Sequence, residues 1–376
     1  MEPKIRFSSS NILYEEKTLS EISTINPKTN VPLEFEYVDL ESVSGTEMTN
    51  HRTEHKATAP SRAQRLAKKG DIFYQTVRPY QKNNYYFDMD DDNYVFSTGY
   101  AQIRPSIYGK YLFTLLQNDS FLKQVLDNCA GTSFPAINPS VLSRLSVRIC
   151  TDKQEQQAIG KYFTSLDSQI SASTSRLASL KQMKAASLQA MFPQEGETVP
   201  KIRFKGFEGE WKKVIIKDIC KKKSSVLSEN ALGENTGNYA VYGASGYIQN
   251  IATYDISTDY VGIIKDGSGV GRTKLYPAYS SLLGTMQYII AKENCCIYFL
   301  EPLLQTIDFT TFISGSGIPH IYFRDYEDME VSIPSLAEQQ AIASYFTSLD
   351  HQIFLQTQRL EKLKQIKSAC LDKMFV

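Results

Sequence analysis

Glu155 to Phe192 reads EQQAIGKYFTSLDSQISASTSRLASLKQMKAASLQAMF, and Glu338 to Phe375 reads EQQAIASYFTSLDHQIFLQTQRLEKLKQIKSACLDKMF. The second stretch follows the first at a constant offset of 183 residues, without a gap, and 24 of the 38 aligned positions are identical, which chance does not produce. Neither copy contains proline, and both are rich in the helix formers Ala, Leu, Lys and Gln. Apolar residues recur at spacings of three, four or their sums: Leu166, Ile170, Leu177, Leu180, Leu188 and Met191, then Leu349, Ile353, Leu360, Leu363, Leu371 and Met374. Each stretch is predicted to be one helix about 57 Å long at 1.5 Å per residue. A helix of that length with a narrow apolar stripe buries the stripe by pairing. Leu166, Ile170, Leu177, Leu180 and Leu188 are therefore expected to face Leu349, Ile353, Leu360, Leu363 and Leu371 in a coiled-coil seam.

A weaker echo precedes each helix. Pro3-Lys4-Ile5-Arg6-Phe7 returns as Pro200-Lys201-Ile202-Arg203-Phe204, and on that offset Tyr14 aligns with Trp211, Leu19 with Ile216 and Ile22 with Ile219. The chain reads as two tandem halves, each a globular region followed by a long helix. The prolines and polar run of residues 193–200 mark the joint. The expected partition is a first globular domain at 1–154, a first helix at 155–192, a linker at 193–200, a second globular domain at 201–337 and a second helix at 338–376. Between the shared frames the globular sequences differ, as one scaffold used for two targets would. Short β-branched and aromatic runs, Tyr94 to Phe96, Tyr260 to Ile264 and Gln287 to Ala291, alternate with Gly and Asn turns and with a helical stretch from Tyr108 to Leu126. Each domain is predicted to be mixed α/β.

Chain order then constrains geometry. If the two helices pair, their connections make them antiparallel, with the domains at opposite ends and the halves related by a pseudo-two-fold axis. Unlike heads on such a frame would read an asymmetric, bipartite target with an unread spacer.

Bulk composition neither announces nor excludes a nucleic-acid partner. The 376 residues hold 41 basic and 41 acidic side chains, a net charge of zero, so a DNA-binding surface has to be local. Between Arg52 and Lys82 lie eight basic residues, Arg52, Lys56, Arg62, Arg65, Lys68, Lys69, Arg78 and Lys82, against Glu54 and Asp71. Lys212 to Lys223 holds six lysines, including Lys221, Lys222 and Lys223, against Asp218, and Lys265, Arg272 and Lys274 flank a glycine-rich turn. Such clusters neutralise phosphates; the competing reading is a solvated loop. The N-terminus lacks a secretory apolar segment and no run of 18 apolar residues occurs, which suggests a cytoplasmic protein with no membrane partner. Six cysteines without C-x-x-C spacing fit buried thiols in a reducing compartment.

Two motifs invite catalysis and fail in detail. Asp266-Gly-Ser-Gly-Val-Gly-Arg-Thr273 lacks the glycine and lysine placement of a phosphate-binding loop and the third-glycine spacing of a dinucleotide fingerprint. A flexible turn that lets backbone approach a DNA phosphate, or a plain turn, remains open there. His51-Arg-Thr-Glu-His55 matches the inverted zinc-peptidase pattern but sits among polar residues rather than on an amphipathic helix. No methyltransferase, nuclease or nucleophile-elbow motif occurs, and no metal or catalytic residue is assigned.

The PKIRF starts, Gly206-Phe207-Glu208-Gly209-Glu210-Trp211, Gly70-Asp71-Ile72, Ile333-Pro334-Ser335 leading into Glu338-Gln339-Gln340, and the repeated Phe-Thr-Ser-Leu-Asp helices together resemble the DNA-specificity subunit of type I restriction-modification systems. The resemblance covers essentially the whole chain. It implies a non-catalytic subunit whose variable domains are target-recognition domains for double-stranded DNA. It also implies that the helices act as spacer and dock two copies of a methyltransferase. That partner, and not this chain, would use S-adenosylmethionine, and translocating restriction subunits could join. Gly131-Thr132-Ser133-Phe134-Pro135 and Gly315-Ser316-Gly317-Ile318-Pro319 occupy the family's turn near the end of each domain. Two departures suggest local differences in the first half: Ile149-Cys150-Thr151 at the junction with the helix, implying a looser joint, and Phe7-Ser8-Ser9-Ser10 with Tyr14 in the opening segment. The rivals are a non-DNA paired-helix adaptor with two ligand-binding domains, and a fused enzyme.

Overall fold

The computed structural model of the chain describes residues 3–7, 14–131, 133–315 and 317–375. It divides into two compact units, Met1–Thr174 with Gln358–Val376, and Ser175–Thr357, so the boundary falls inside both long helices.

In the first unit the strand Tyr14–Thr18 pairs antiparallel with Ser146–Cys150, which brings the two ends of the globular region to the root of the helix Lys153–Met191. An antiparallel sheet runs Ser23–Ile25, Tyr100–Pro105, Ile72–Gln75, Tyr85–Tyr86. A second sheet runs Arg52–His55, Glu34–Val38, Tyr94–Ser97, Ala63–Leu66, its middle pair parallel. Ile72–Gln75 and Tyr94–Ser97 are buried at every position, and each opens with three successive large or β-branched residues, Ile72-Phe73-Tyr74 and Tyr94-Val95-Phe96. Tyr108 to Leu126 is two helices, Gly109–Leu115 and Asp119–Asp127. Asn118 divides them: its Oδ1 accepts from the backbone N of Ser120 at 2.7 Å, capping the second helix.

The second unit repeats this plan with other residues. Lys212–Ile215 pairs with Glu330–Ile333. The sheet order is Cys220–Ser224, Met286–Ala291, Tyr260–Ile264, Thr273–Tyr276, again antiparallel throughout. Tyr239–Gly243 lies between Gly246–Ile251 and Ser281–Leu282, parallel to the latter. Both globular domains are mixed α/β and share the strand order of the first sheet and the parallel pair of the second, although the first unit adds the strand Ala63–Leu66 and their sequences diverge.

The helices Lys153–Met191 and Leu336–Met374 each span 39 residues. Within the first unit Asp167 meets Lys367 at 2.6 Å, and Tyr162 Oη lies 3.5 Å from Cys370 Sγ. Within the second unit Lys184 meets Asp350 at 2.7 Å, and Ser187 Oγ lies 2.8 Å from Tyr345 Oη. Numbers rise on one helix as they fall on the other, so in each unit the pairing is antiparallel. Every one of these contacts is its counterpart displaced by 183 residues with the two helices exchanged. Along the seam Leu166, Leu177, Leu180, Leu349 and Leu360 are buried, and Ile170, Leu188, Ile353, Leu363 and Leu371 are partly so. The stripe is broken at one equivalent position, where Ser173 and Gln356 are each buried.

Each core is sealed by the end of the other half's helix. Met374 and Phe375 belong to the core of the first unit, with Ile72, Tyr111, Leu112 and Phe163; Met191 and Phe192 belong to that of the second, with Trp211, Phe299 and Phe346. Phe375 stands 5.6 Å from Tyr111 and 6.1 Å from Phe163; Phe192 stands 5.6 Å from Phe299 and 6.0 Å from Phe346.

Candidate nucleic-acid interface

The repeated residues build the frame that carries each domain. Buried Glu155 accepts the backbone N of Phe7 at 2.9 Å, and buried Glu338 holds Arg203 through two hydrogen bonds of 2.7 and 2.8 Å. Gln156 accepts from the backbone N of Tyr108 and donates to the carbonyl of Cys150; Gln339 accepts from the N of Cys296 and donates to the carbonyl of Pro334. The Glu-Gln-Gln start thus ties the opening segment, the central helix and the last strand of each domain to its long helix. The PKIRF echo closes the other end: the N–H groups of Lys4 and Ile5 donate to the carbonyl of Lys373, and that of Ile202 to the carbonyl of Ala190, satisfying carbonyls that a helix terminus leaves open.

The expected looser first junction is not found. Asp152 Oδ1 accepts from the N–H of Gln154 and Glu155 at 2.7 and 2.8 Å, a tighter cap than the 3.4 Å bond from the N of Glu338 to Ser335 Oγ. The opening segment does differ: the first strand begins at Tyr14, paired with Cys150, whereas in the second half pairing begins at Lys212 and the backbone N of Trp211 donates to the carbonyl of Thr198; Ser8, Ser9 and Ser10 lie outside the described residues, as do Thr132 and Ser316.

The basic residues separate into two groups by what they touch. Arg52 is held by Asp39 and Glu54 at 2.7 and 2.8 Å and lies over the Tyr37 ring; Lys69 pairs with Asp90, Lys82 with Asp119 and Lys265 with Asp266. Their charge is largely answered within the chain. Among the described residues the others have no carboxylate partner. Lys56 donates to the carbonyl of Val31, Lys223 to that of Asp255 and Arg272 to that of Gly269, while Lys274 lies near the Tyr276 ring. Arg62, Lys68, Lys221 and Lys222 point to solvent. Arg65 is half-buried, its Nε without a partner, and burial lowers its pKa. Arg78 lies with its guanidinium 4.6 Å over the Phe134 ring. Lys221, Lys222 and Lys223 run along an edge strand, where lysines also keep the edge from pairing with another chain.

A family model described as "Type I restriction modification DNA specificity domain" matches residues 11–182 and 208–365. The chain belongs to this family. Over 139 residues it is 34% identical to the type I restriction enzyme HindI specificity subunit of Haemophilus influenzae, covering 35% of this chain and 30% of that protein. Over 159 residues it is 28% identical to the EcoDI specificity subunit of Escherichia coli, covering 42% and 35%. The matched segment is thus about a third of each relative's length. A crystal structure of the type I S subunit from M. genitalium matches 100% of this chain and 99% of its own, with a TM-score of 0.74 at 15% identity, a likeness of fold. A chain from a structure of type I R-M complex assembly matches with a TM-score of 0.52 at 19% identity, over 96% of this chain and 97% of its own.

For a type I specificity chain the two decoy motifs resolve into architecture. The glycine-rich turn is a β-hairpin loop joining Tyr260–Ile264 to Thr273–Tyr276, with Gly267 and Gly271 at positive φ. His51 and the strand Arg52–His55 form no helix; His51 contacts Glu36, and His55 lies 3.4 Å from Glu34. Among the described residues no cluster of His, Cys, Asp and Glu could hold a metal ion, and no helix is long and apolar enough to cross a membrane. Cys150, Cys220 and Cys295 are buried, and burial pushes the last two thiols up to about 12, so they are unreactive packing groups. What the sequence missed is the pairing of Arg78 with Phe134. A spacing of more than fifty residues gave no signal, and only the family's turn at Gly131 to Pro135 pointed nearby.

Proposed function

We propose that the chain is the DNA-reading subunit of a type I restriction-modification complex, each globular domain taking one half of an asymmetric, bipartite duplex target. Its long helices set the spacing and dock two copies of a cytoplasmic methyltransferase. That partner supplies S-adenosylmethionine and the chemistry, translocating restriction subunits join it, and this chain catalyses nothing. The observation that carries the reading is one sheet order built twice on exchanged helix contacts, with unlike residues between the repeats. A frame held constant while its heads differ is what two separate half-sites demand. The names of the relatives, both specificity subunits, support it.

The test is to map methylated adenines in a genome carrying this chain and its methyltransferase, before and after residues 205–335 are replaced by the corresponding domain of another family member. One half of the target should change while the other half and the spacer stay. A swapped protein that kept its whole target would overturn the assignment. So would methyl transfer by this chain alone, and a wild-type chain with no salt-dependent DNA affinity would favour the adaptor reading.

A further inference from the structure

Both units present an apolar side chain at the tip of the same closed loop. In the first unit Ala130 and Ala136 exchange backbone hydrogen bonds of 2.9 and 3.0 Å, and the loop between them carries Phe134, 61% exposed. In the second, Ser314 and His320 exchange two of 2.9 Å, and the loop carries Ile318, 70% exposed. Each loop turns through a glycine at positive φ, Gly131 and Gly315. Each is clamped to the neighbouring hairpin by an antiparallel bridge: Arg78 N to Pro135 O at 2.8 Å with Ile137 N to Thr76 O at 3.0 Å, and Gly267 N to Pro319 O at 2.9 Å with Ile321 N to Lys265 O at 2.9 Å. Exposing a large apolar group at the tip of a braced loop in both units is not a folding requirement, since neither side chain is in a core.

Arg78 adds the second observation. It holds a left-handed backbone, φ 54°, which a non-glycine residue adopts at a cost, and places its guanidinium over the Phe134 ring with no carboxylate partner among the described residues. A cation beside an exposed ring matches a polyanion that also offers flat apolar faces, namely duplex DNA.

We propose that Phe134 and Ile318 are wedges, one per half-site, that insert against the base stack while Arg78 meets an adjacent phosphate in the first half. The proposal rests on the DNA-reading role above. Because the tip is shared while the rest of the domains diverge, it addresses what both half-sites have in common, the stack and backbone, rather than base edges. At the place of Arg78 the second unit has Gly267, so the second wedge acts without that cation.

The test uses the full-length chain and the duplex found by methylation mapping, with 2-aminopurine placed at successive positions. Wild-type protein should raise the fluorescence at one step in each half. Phe134→Ser should abolish the signal in one half only and weaken binding about tenfold, whereas Phe134→Leu should keep both. Ile318→Ser should act on the other half. Unchanged affinity and fluorescence in Phe134→Ser would overturn the proposal, and lost affinity without any wild-type unstacking would count against insertion. Loss of methyltransferase binding with DNA affinity intact would reassign the tips to the protein partner. A wild-type chain that bound no duplex would overturn the DNA-reading role itself.

Discussion

At Gly160 the first helical repeat departs from Ala343 of the second because of a neighbour. A Cβ at Gly160 would stand 2.6 Å from a ring carbon of Tyr108 and 2.9 Å from the backbone N of Tyr111, closer than atoms pack. Gly160→Ala would gain about 1 kcal/mol of helix propensity and lose about 1–3 kcal/mol to overpacking, so a lower Tm in thermal unfolding is expected. Glu301 is a second case. It is buried beside Lys184 and Asp350 and bonded by Gln305, and burial raises its pKa to about 7. The folded state therefore takes up its proton more readily than the unfolded state. The stability this contributes is complete below the unfolded value near 4.5 and disappears as pH rises through about 7. Glu301→Gln should be stabilising at pH 8, by up to roughly 3 kcal/mol, and near neutral at pH 4; denaturant midpoints at the two pH values check the sign. The first unit has Phe113 at the corresponding place, one residue after the second of two packed positions, Tyr111 and Leu112, that match Phe299 and Leu300.

Among the elements, the paired helices were the most legible in the sequence, because identical side chains fill identical contacts in each unit. Lys184 with Asp350 and Lys367 with Asp167 are one interaction written twice. Lys184→Asp should destabilise by about 1 kcal/mol by setting like charges together, and adding Asp350→Lys should restore most of it; a double-mutant cycle in urea measures the coupling. Truncating the seam costs more: Leu349→Ala should remove about 2–5 kcal/mol. The break of the helix at Asn118 was not legible, since the surrounding apolar period runs through it and only the cap geometry shows it. The shared sheet order was hidden too. Ile72–Gln75 and Tyr260–Ile264 hold the same place in their sheets with hardly a residue in common, since full burial asks for apolar bulk and not for particular side chains.

Across the whole molecule, the proposed recognition surface was the least legible part. Local excess of lysine and arginine located the basic segments but did not distinguish Arg52, already paired with two carboxylates, from Arg62 and Lys68, which are exposed and have no carboxylate partner among the described residues. Replacing Arg62 and Lys68 together by alanine should weaken binding to every sequence alike and reduce the steepness of the salt dependence by about two, as titration over a range of salt concentrations would show; Arg52→Ala should change it far less.

The sealing of the first core by Met374 and Phe375 has a consequence for synthesis. A ribosome that has finished the first globular region still has to add about 200 residues before those two side chains exist. At elongation speeds of about 5–20 residues per second that is a delay of roughly 10–40 s. Throughout it Tyr111 and Phe163 face an unfilled gap, so the nascent chain matures back to front: the second unit, whose plug Met191 and Phe192 is made early, is the one able to close first.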